Sequence, residues 1–172
     1  MPNKPNKKLP ATKLLLATLC TCALTLSVTK VGRTQSGPLE DLATFPRATV
    51  EILRGKKKKD PRRLEVWVAD TPARQEQGFM FVHDLQPGQG MLLPETKPKK
   101  MSVRMKNTYL ELDIVFVGEK GAIDKIIEHA PPLSLEPLNS DKPVSAVLEI
   151  KGGEAARLEL KKGDRVSWTL PQ

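Results

Sequence analysis

The chain has 172 residues, 28 of them basic and 20 acidic, for a formal net charge of +8. Six of the basic residues (Lys4, Lys7, Lys8, Lys13, Lys30 and Arg33) lie in the first 33 positions, where no acid occurs, which leaves 22 basic against 20 acidic residues. So near-neutral a remainder does not imply nucleic-acid binding, and no nucleic-acid partner is expected. The local basic runs, Lys56 to Lys59 with Arg62 and Arg63, and Lys97, Lys99 and Lys100, read as solvated loops, with docking to an anionic surface as the alternative.

Proline is frequent and aromatics are few (15 Pro against 7 Phe, Trp and Tyr), a balance that favours short strands and loops over long helices. Cys20 and Cys22 are the only cysteines. Nothing after them can form a disulfide or a thiolate metal site.

Residues 1–33 read as a signal peptide or membrane anchor. A polar, basic start leads into the apolar stretch Leu14 to Val28, short for a membrane span and followed by no clean cleavage site. Leu19-Cys20-Thr21-Cys22 is a weak likeness of a lipidation box. The expectation is an exported protein of the periplasm, envelope or medium, with membrane anchoring through residues 14–28 as the alternative. Residues 34–47 read as a linker, and residues 48–172 as a single β domain.

Ala48 to Leu53 and Leu64 to Ala69 alternate as strands, joined by a lysine-loaded hairpin loop. Asp70-Thr71-Pro72 opens a short helix that Gly78 can end. Met91 to Leu93 is a short strand stopped by Pro94, and Met101 to Met105 leads into a central hairpin. Leu112 and Ile114 to Val117 form a β-branched run interrupted only by Asp113, which reads as a strand buried on both faces. A carboxylate there needs donors, and Lys106 and Asn107, just upstream across a bend, are the nearest. Gly118 to Gly121 is a turn, and Ala122 to His129 returns. Val144 to Ile150 is a late strand, Glu154 to Leu158 a second short helix, and Arg165 to Leu170 the last strand. The fold class is therefore mainly β, a small barrel or sandwich of about eight short strands with two short helices.

Eight motifs occur in the order seen in a known family. They are Val68-Ala69-Asp70-Thr71-Pro72-Ala73-Arg74, Gln77-Gly78-Phe79-Met80-Phe81, Gly90-Met91-Leu92, Met105-Lys106-Asn107-Thr108, Leu112-Asp113-Ile114-Val115-Phe116, Ala130-Pro131-Pro132, Val147-Leu148-Glu149 and Gly163-Asp164. With them the chain resembles the domain of unknown function 192 family across about residues 50 to 170. The resemblance implies a small mainly-β domain, often exported, with no established activity. The chain departs from the family pattern at Arg104, where Trp is usual, at Glu111, where Pro is usual, and at Lys151-Gly152-Gly153, where Pro-Ala-Gly is expected.

The residues point to no reaction. His83 and His129 are the only histidines and stand at no ligand spacing, so no metal is expected. No nucleophile elbow is present, and Gly88-Gln89-Gly90 precedes no helix, so no phosphate loop and no cofactor are read. The candidate ligand-binding residues are Lys106, Asn107 and Asp113, read as one polar cluster, with Arg74 and Glu149, for which a salt bridge is the plainer expectation. Met80, Met91, Met101 and Met105 are read as core filling. The reading adopted is a non-catalytic binding module for a small molecule or envelope component. The alternatives are an enzyme using Lys106 and Asp113, and an envelope protein interacting through its basic loops.

Overall fold

The structure is a computed structural model, and it describes residues 39–55 and 61–170. The leader and the lysine run 56–59 lie outside the described residues. Among those described, strands β1 (Arg47–Leu53), β2 (Arg62–Val68), β3 (Gln89–Lys99), β5 (Leu112–Val117), β6 (Ile123–Ala130), β8 (Val144–Lys151) and β9 (Arg165–Trp168) form one sheet in the order β6-β5-β8-β3-β2-β1-β9. The two-residue strands β4 (Ser102–Val103) and β7 (Leu138–Asn139) pair separately. All neighbours in the large sheet are antiparallel except β2 and β3.

The sheet curls until its edges touch. Ala122 bridges Arg165, and the Ile123 and Gly163 amides donate to the carbonyls of Asp164 and Ile123, each at 2.8 Å. Gly121 makes the contact possible: a Cβ there would lie 2.3 Å from the Val166 carbonyl oxygen. Such curling hides the unpaired strand edges that an open sheet would expose. The mainly-β expectation is borne out, as a curled half-barrel with two short helices.

Strand alternation divides the core in two. Val50, Val66, Leu92, Val115 and Leu148 fill the inner face, while Met91, Leu93, Ile114, Phe116 and Val147 point outward beneath Phe79, Leu85 and Met105. β5 is therefore buried on both sides along its whole length, as its β-branched run requires.

Helix α1 (Pro72–Gln77) begins as its sequence dictates. The Thr71 side chain accepts from the Arg74 amide, Pro72 takes the first turn, and Gly78 ends the helix at φ 48°. Helix α2 (Glu154–Arg157) is a single turn entered through left-handed Gly153.

Three local readings change. Pro94 does not end its strand: β3 runs on to Lys99, with a register shift against β8 between Pro94 and Lys99 that accommodates the missing N–H. Met101 to Met105 forms no hairpin with β5, because β4 pairs with β7. The segment read as linker is docked from Leu39 on. Phe45 is buried, Gln77 Nε2 donates to the Glu40 carbonyl at 2.7 Å, and Arg74 bonds the Glu40 carboxylate at 2.9 Å.

Candidate functional site

Cross-strand register decides which side of the sheet each acid faces. Asp113 pairs with Ile150 and points inward; Ile114 pairs with Glu149, and that pair points outward. The two carboxylates, three dozen positions apart in sequence, are thus on opposite faces of neighbouring strands.

Asp113 is fully buried and fully answered. Its Oδ1 accepts from the His129 amide at 2.9 Å, and its Oδ2 accepts from the Ala155 amide at 2.8 Å. The second bond caps the first turn of α2, whose Gly153 entry has no side chain to do so. Neither Lys106 nor Asn107 reaches Asp113. Both are on the outer side, and Asn107 sits at the bend in the left-handed conformation, φ 54°, with its carbonyl accepting from the Phe81 amide at 2.8 Å. The reading of Lys106, Asn107 and Asp113 as one joined cluster is corrected accordingly: donors close in sequence lost to backbone amides brought in by distant strands.

Arg74 is also committed elsewhere. It bonds Glu40 at 2.9 Å and Asp70 at 2.8 Å and lies over the Phe45 ring at 4.9 Å. Those two carboxylates hold its guanidinium above its ordinary pKa, Asp70 contributing most. The expected salt bridge to Glu149 does not form, because Arg74 fastens the 39–47 segment to α1 instead.

Glu149 is left without a donor. It is 4 % exposed and makes no hydrogen bond or ion pair among the described residues. Burial alone pushes its carboxyl from 4.5 up to about 7. The carboxylate borders a cavity of about 470 Å³ under the β3–β4 and β4–β5 connections. Gly78 lies over it: a Cβ there would meet Oε2 at 3.6 Å. Phe79, Leu93, Val103, Met105 and Leu112 give the cavity apolar walls, and Met80 and Met101 add flexible ones. Lys106 stands at the mouth with Lys99, Lys100 and Arg104, all exposed, while Glu76 and Glu95 are the other acids on the lining. Lys99 pairs with Glu95 at 2.8 Å. Lys100, Arg104 and Lys106 have no ion pair among the described residues.

Of the methionines read as core, Met91 and Met105 are buried, and Met105 serves both core and cavity. A larger open groove of about 600 Å³ lies between β1 and β9, but its acids, Glu51 and Glu65, bond Arg63 and Thr49, so nothing chemical is left unanswered there.

Next to the lining residues Met80, Lys106 and Thr108 the backbone is unusual. Phe81, Asn107 and Leu133 all have positive φ, at 62°, 54° and 62°. They are tied together by Phe81 N–H to the Asn107 carbonyl at 2.8 Å and Leu133 N–H to the Thr108 carbonyl at 3.0 Å. Bulky residues hold this conformation only where the surroundings impose it. Here it turns Phe81, Tyr109 and Leu133 outward, with His83 stacked on Tyr109 at 4.7 Å.

Two of the three departures from the family pattern meet in space. Glu111 lies on Gly152, where a Cβ would come within 2.6 Å of Oε1, and bonds His129 Nδ1 at 2.7 Å. The His129 ring in turn lies 3.6 Å from where a Cβ of Gly153 would be. Glu111 raises the His129 pKa, chiefly through that hydrogen bond. The third departure, Arg104, is one of the cations at the cavity mouth.

Sequence and structure comparisons agree with this architecture. No curated protein matches the chain. A Sinorhizobium meliloti 1021 structure described as a candidate transcription regulator is 33 % identical, with a TM-score of 0.68 over 72 % of this chain and 95 % of its own. A protein of unknown function from Novosphingobium aromaticivorans DSM 12444 is 37 % identical, with a TM-score of 0.65 over 70 % of this chain and 84 % of its own. The sequence profile of domain of unknown function 192, described as "Uncharacterized ACR", matches residues 53–168. That match spans every strand from the end of β1 to β9, and the chain belongs to this uncharacterised family.

Proposed function

We propose that the chain is an exported, non-catalytic binding module that holds a small ligand in the Glu149 cavity. The observation that carries this reading is Glu149 itself. A carboxylate largely removed from water, with no donor among the described residues, destabilises the fold, and a group that destabilises the fold while facing a cavity is in place for something outside the fold. The cavity volume falls within the range of small-molecule sites. Asp113 has no part in it, since both of its oxygens are occupied on the inner face. An enzyme built on Lys106 and Asp113 is therefore disfavoured. Export rests on the leader alone: charged residues before the apolar stretch Leu14 to Val28. The regulator description belongs to the Sinorhizobium protein and is not carried over, since the near-neutral charge after position 33 does not by itself imply a nucleic-acid partner.

Native mass spectrometry of protein purified from its own cells tests the reading. The expected result is a non-covalent adduct on the wild type that Glu149→Gln loses. An adduct-free wild type, from gentle isolation at several pH values, counts against a resident ligand.

A further inference from the structure

The cavity carries two opposite electrostatic demands. Its floor holds one buried carboxylate with no donor. Its mouth holds Lys100, Arg104 and Lys106, exposed and unpaired among the described residues. These cations come from two different connections, Lys100 before β4 and Arg104 and Lys106 after it, so they converge on the opening and do not merely follow one another along a strand. None of them answers Glu149, and the walls between floor and mouth are apolar: Phe79, Leu93, Val103 and Leu112. A simple anion entering here would be held by the cations but would gain no opposite charge at Glu149, which repels it once ionised. A simple cation would have to cross the cations to reach its partner. A molecule with both charges, separated by an apolar spacer, satisfies both ends.

We propose that the ligand is zwitterionic, with a protonated amine seated on Glu149, an anionic group held at the mouth by Lys100, Arg104 and Lys106, and an apolar spacer along the walls between them. The proposal rests on the binding reading above and narrows it to a ligand class. It also fixes the ligand's direction, since the reversed pose would set an ammonium among the cations of the mouth and leave Glu149 without a counter-charge. Glu76, on the α1 side of the lining, and Glu95, already paired with Lys99, leave the mouth net positive. Binding has a proton signature. An ammonium group favours the ionised form of Glu149, so a carboxyl held protonated by burial releases its proton when the amine arrives.

Isothermal titration of the full chain tests this with ω-amino acids from 4-aminobutanoate to 8-aminooctanoate, against hexylamine and hexanoate as single-charge controls. The best ω-amino acid is expected to bind at least about tenfold more tightly than either control, which corresponds to 1.4 kcal/mol or more. At pH 6, heats measured in buffers of different ionisation enthalpy should show close to one proton released. Glu149→Gln should remove both the advantage over hexanoate and the proton release. Arg104→Ala combined with Lys106→Ala should remove the advantage over hexylamine. Thermal melts of each variant confirm that it is folded. If hexylamine binds as well as the ω-amino acids, the zwitterion class is wrong and the cavity reading stands. If none of the probes binds at 10 mM, or if Glu149→Gln changes nothing, the zwitterion class is equally overturned, and the cavity reading is judged separately by its own adduct.

Discussion

The Asp113 carboxylate joins β5 to the first turn of α2, accepting the Ala155 amide at 2.8 Å across 42 residues of sequence. Its other oxygen fixes the left-handed His129 amide at 2.9 Å. One side chain thus ties a fully buried strand to a helix too short to stand alone and to the bulged end of β6. Asp113→Ala is expected to cost about 2–4 kcal/mol, because it strands two backbone donors and uncaps α2. Lys106→Met should leave the melting temperature nearly unchanged. A double-mutant cycle on the two should give a coupling energy near zero, and a coupling above about 1 kcal/mol would restore the pair that the register rules out.

The strand carrying Asp113 was readable from composition alone, since a β-branched run too short for a helix and closed by glycine has few other fates. So was the need of its carboxylate for donors. What could not be read was which donors. The nearest in sequence, Lys106 and Asn107, lie across a bend that β4 never closes as a hairpin, and the true donors are backbone amides that carry no residue-type signal. Glu149 shows the converse. The sequence offered Arg74 as its partner, and only the fold shows Arg74 spent on Glu40 and Asp70, so that a plain strand-end glutamate becomes a buried carboxyl with no donor among the described residues. Pro94 failed as a stop signal because an irregularity in the ladder can absorb a missing donor.

Glu149 makes stability depend on pH in an unusual direction. Its pKa is raised from 4.5 to about 7 in the folded state, so between those values the folded protein binds more protons than the unfolded chain. Its contribution is therefore present below about pH 4.5 and is lost as pH rises through about 7. The full effect is on the order of 3 kcal/mol. Glu149→Gln should raise stability at pH 8 by about 2–3 kcal/mol and flatten this part of the profile. Chemical denaturation of both proteins from pH 4 to pH 8 measures it. Parallel profiles would mean that the carboxyl is not desolvated.

Leu133 is 53 % exposed yet left-handed. Removing its side chain sacrifices little burial, and the usual ranking of alanine over glycine should invert. Leu133→Gly is expected to be more stable than Leu133→Ala by about 1 kcal/mol. Equal stabilities would show that the backbone at Leu133 is not strained.

Closure of the curled sheet turns on Gly121, where φ is 76° and a Cβ would lie 2.3 Å from the Val166 carbonyl oxygen. Gly121→Ala should cost about 2–4 kcal/mol and raise amide exchange at Ile123 and Gly163, whose bonds make the seam. A cost below about 0.5 kcal/mol would mean that the two edges are not held together there.

Ligand binding in the cavity requires Glu149 to stand desolvated and without a protein donor against it. Carbon-13 NMR of the glutamate carboxyls, with Glu149 assigned by its loss in Glu149→Gln, measures this directly in the ligand-free protein. The resonance is expected to titrate near pH 7, its environment raising the pKa from 4.5 by burial alone. A titration at or below 4.5 would mean that Glu149 is solvated or ion-paired and would contradict the account.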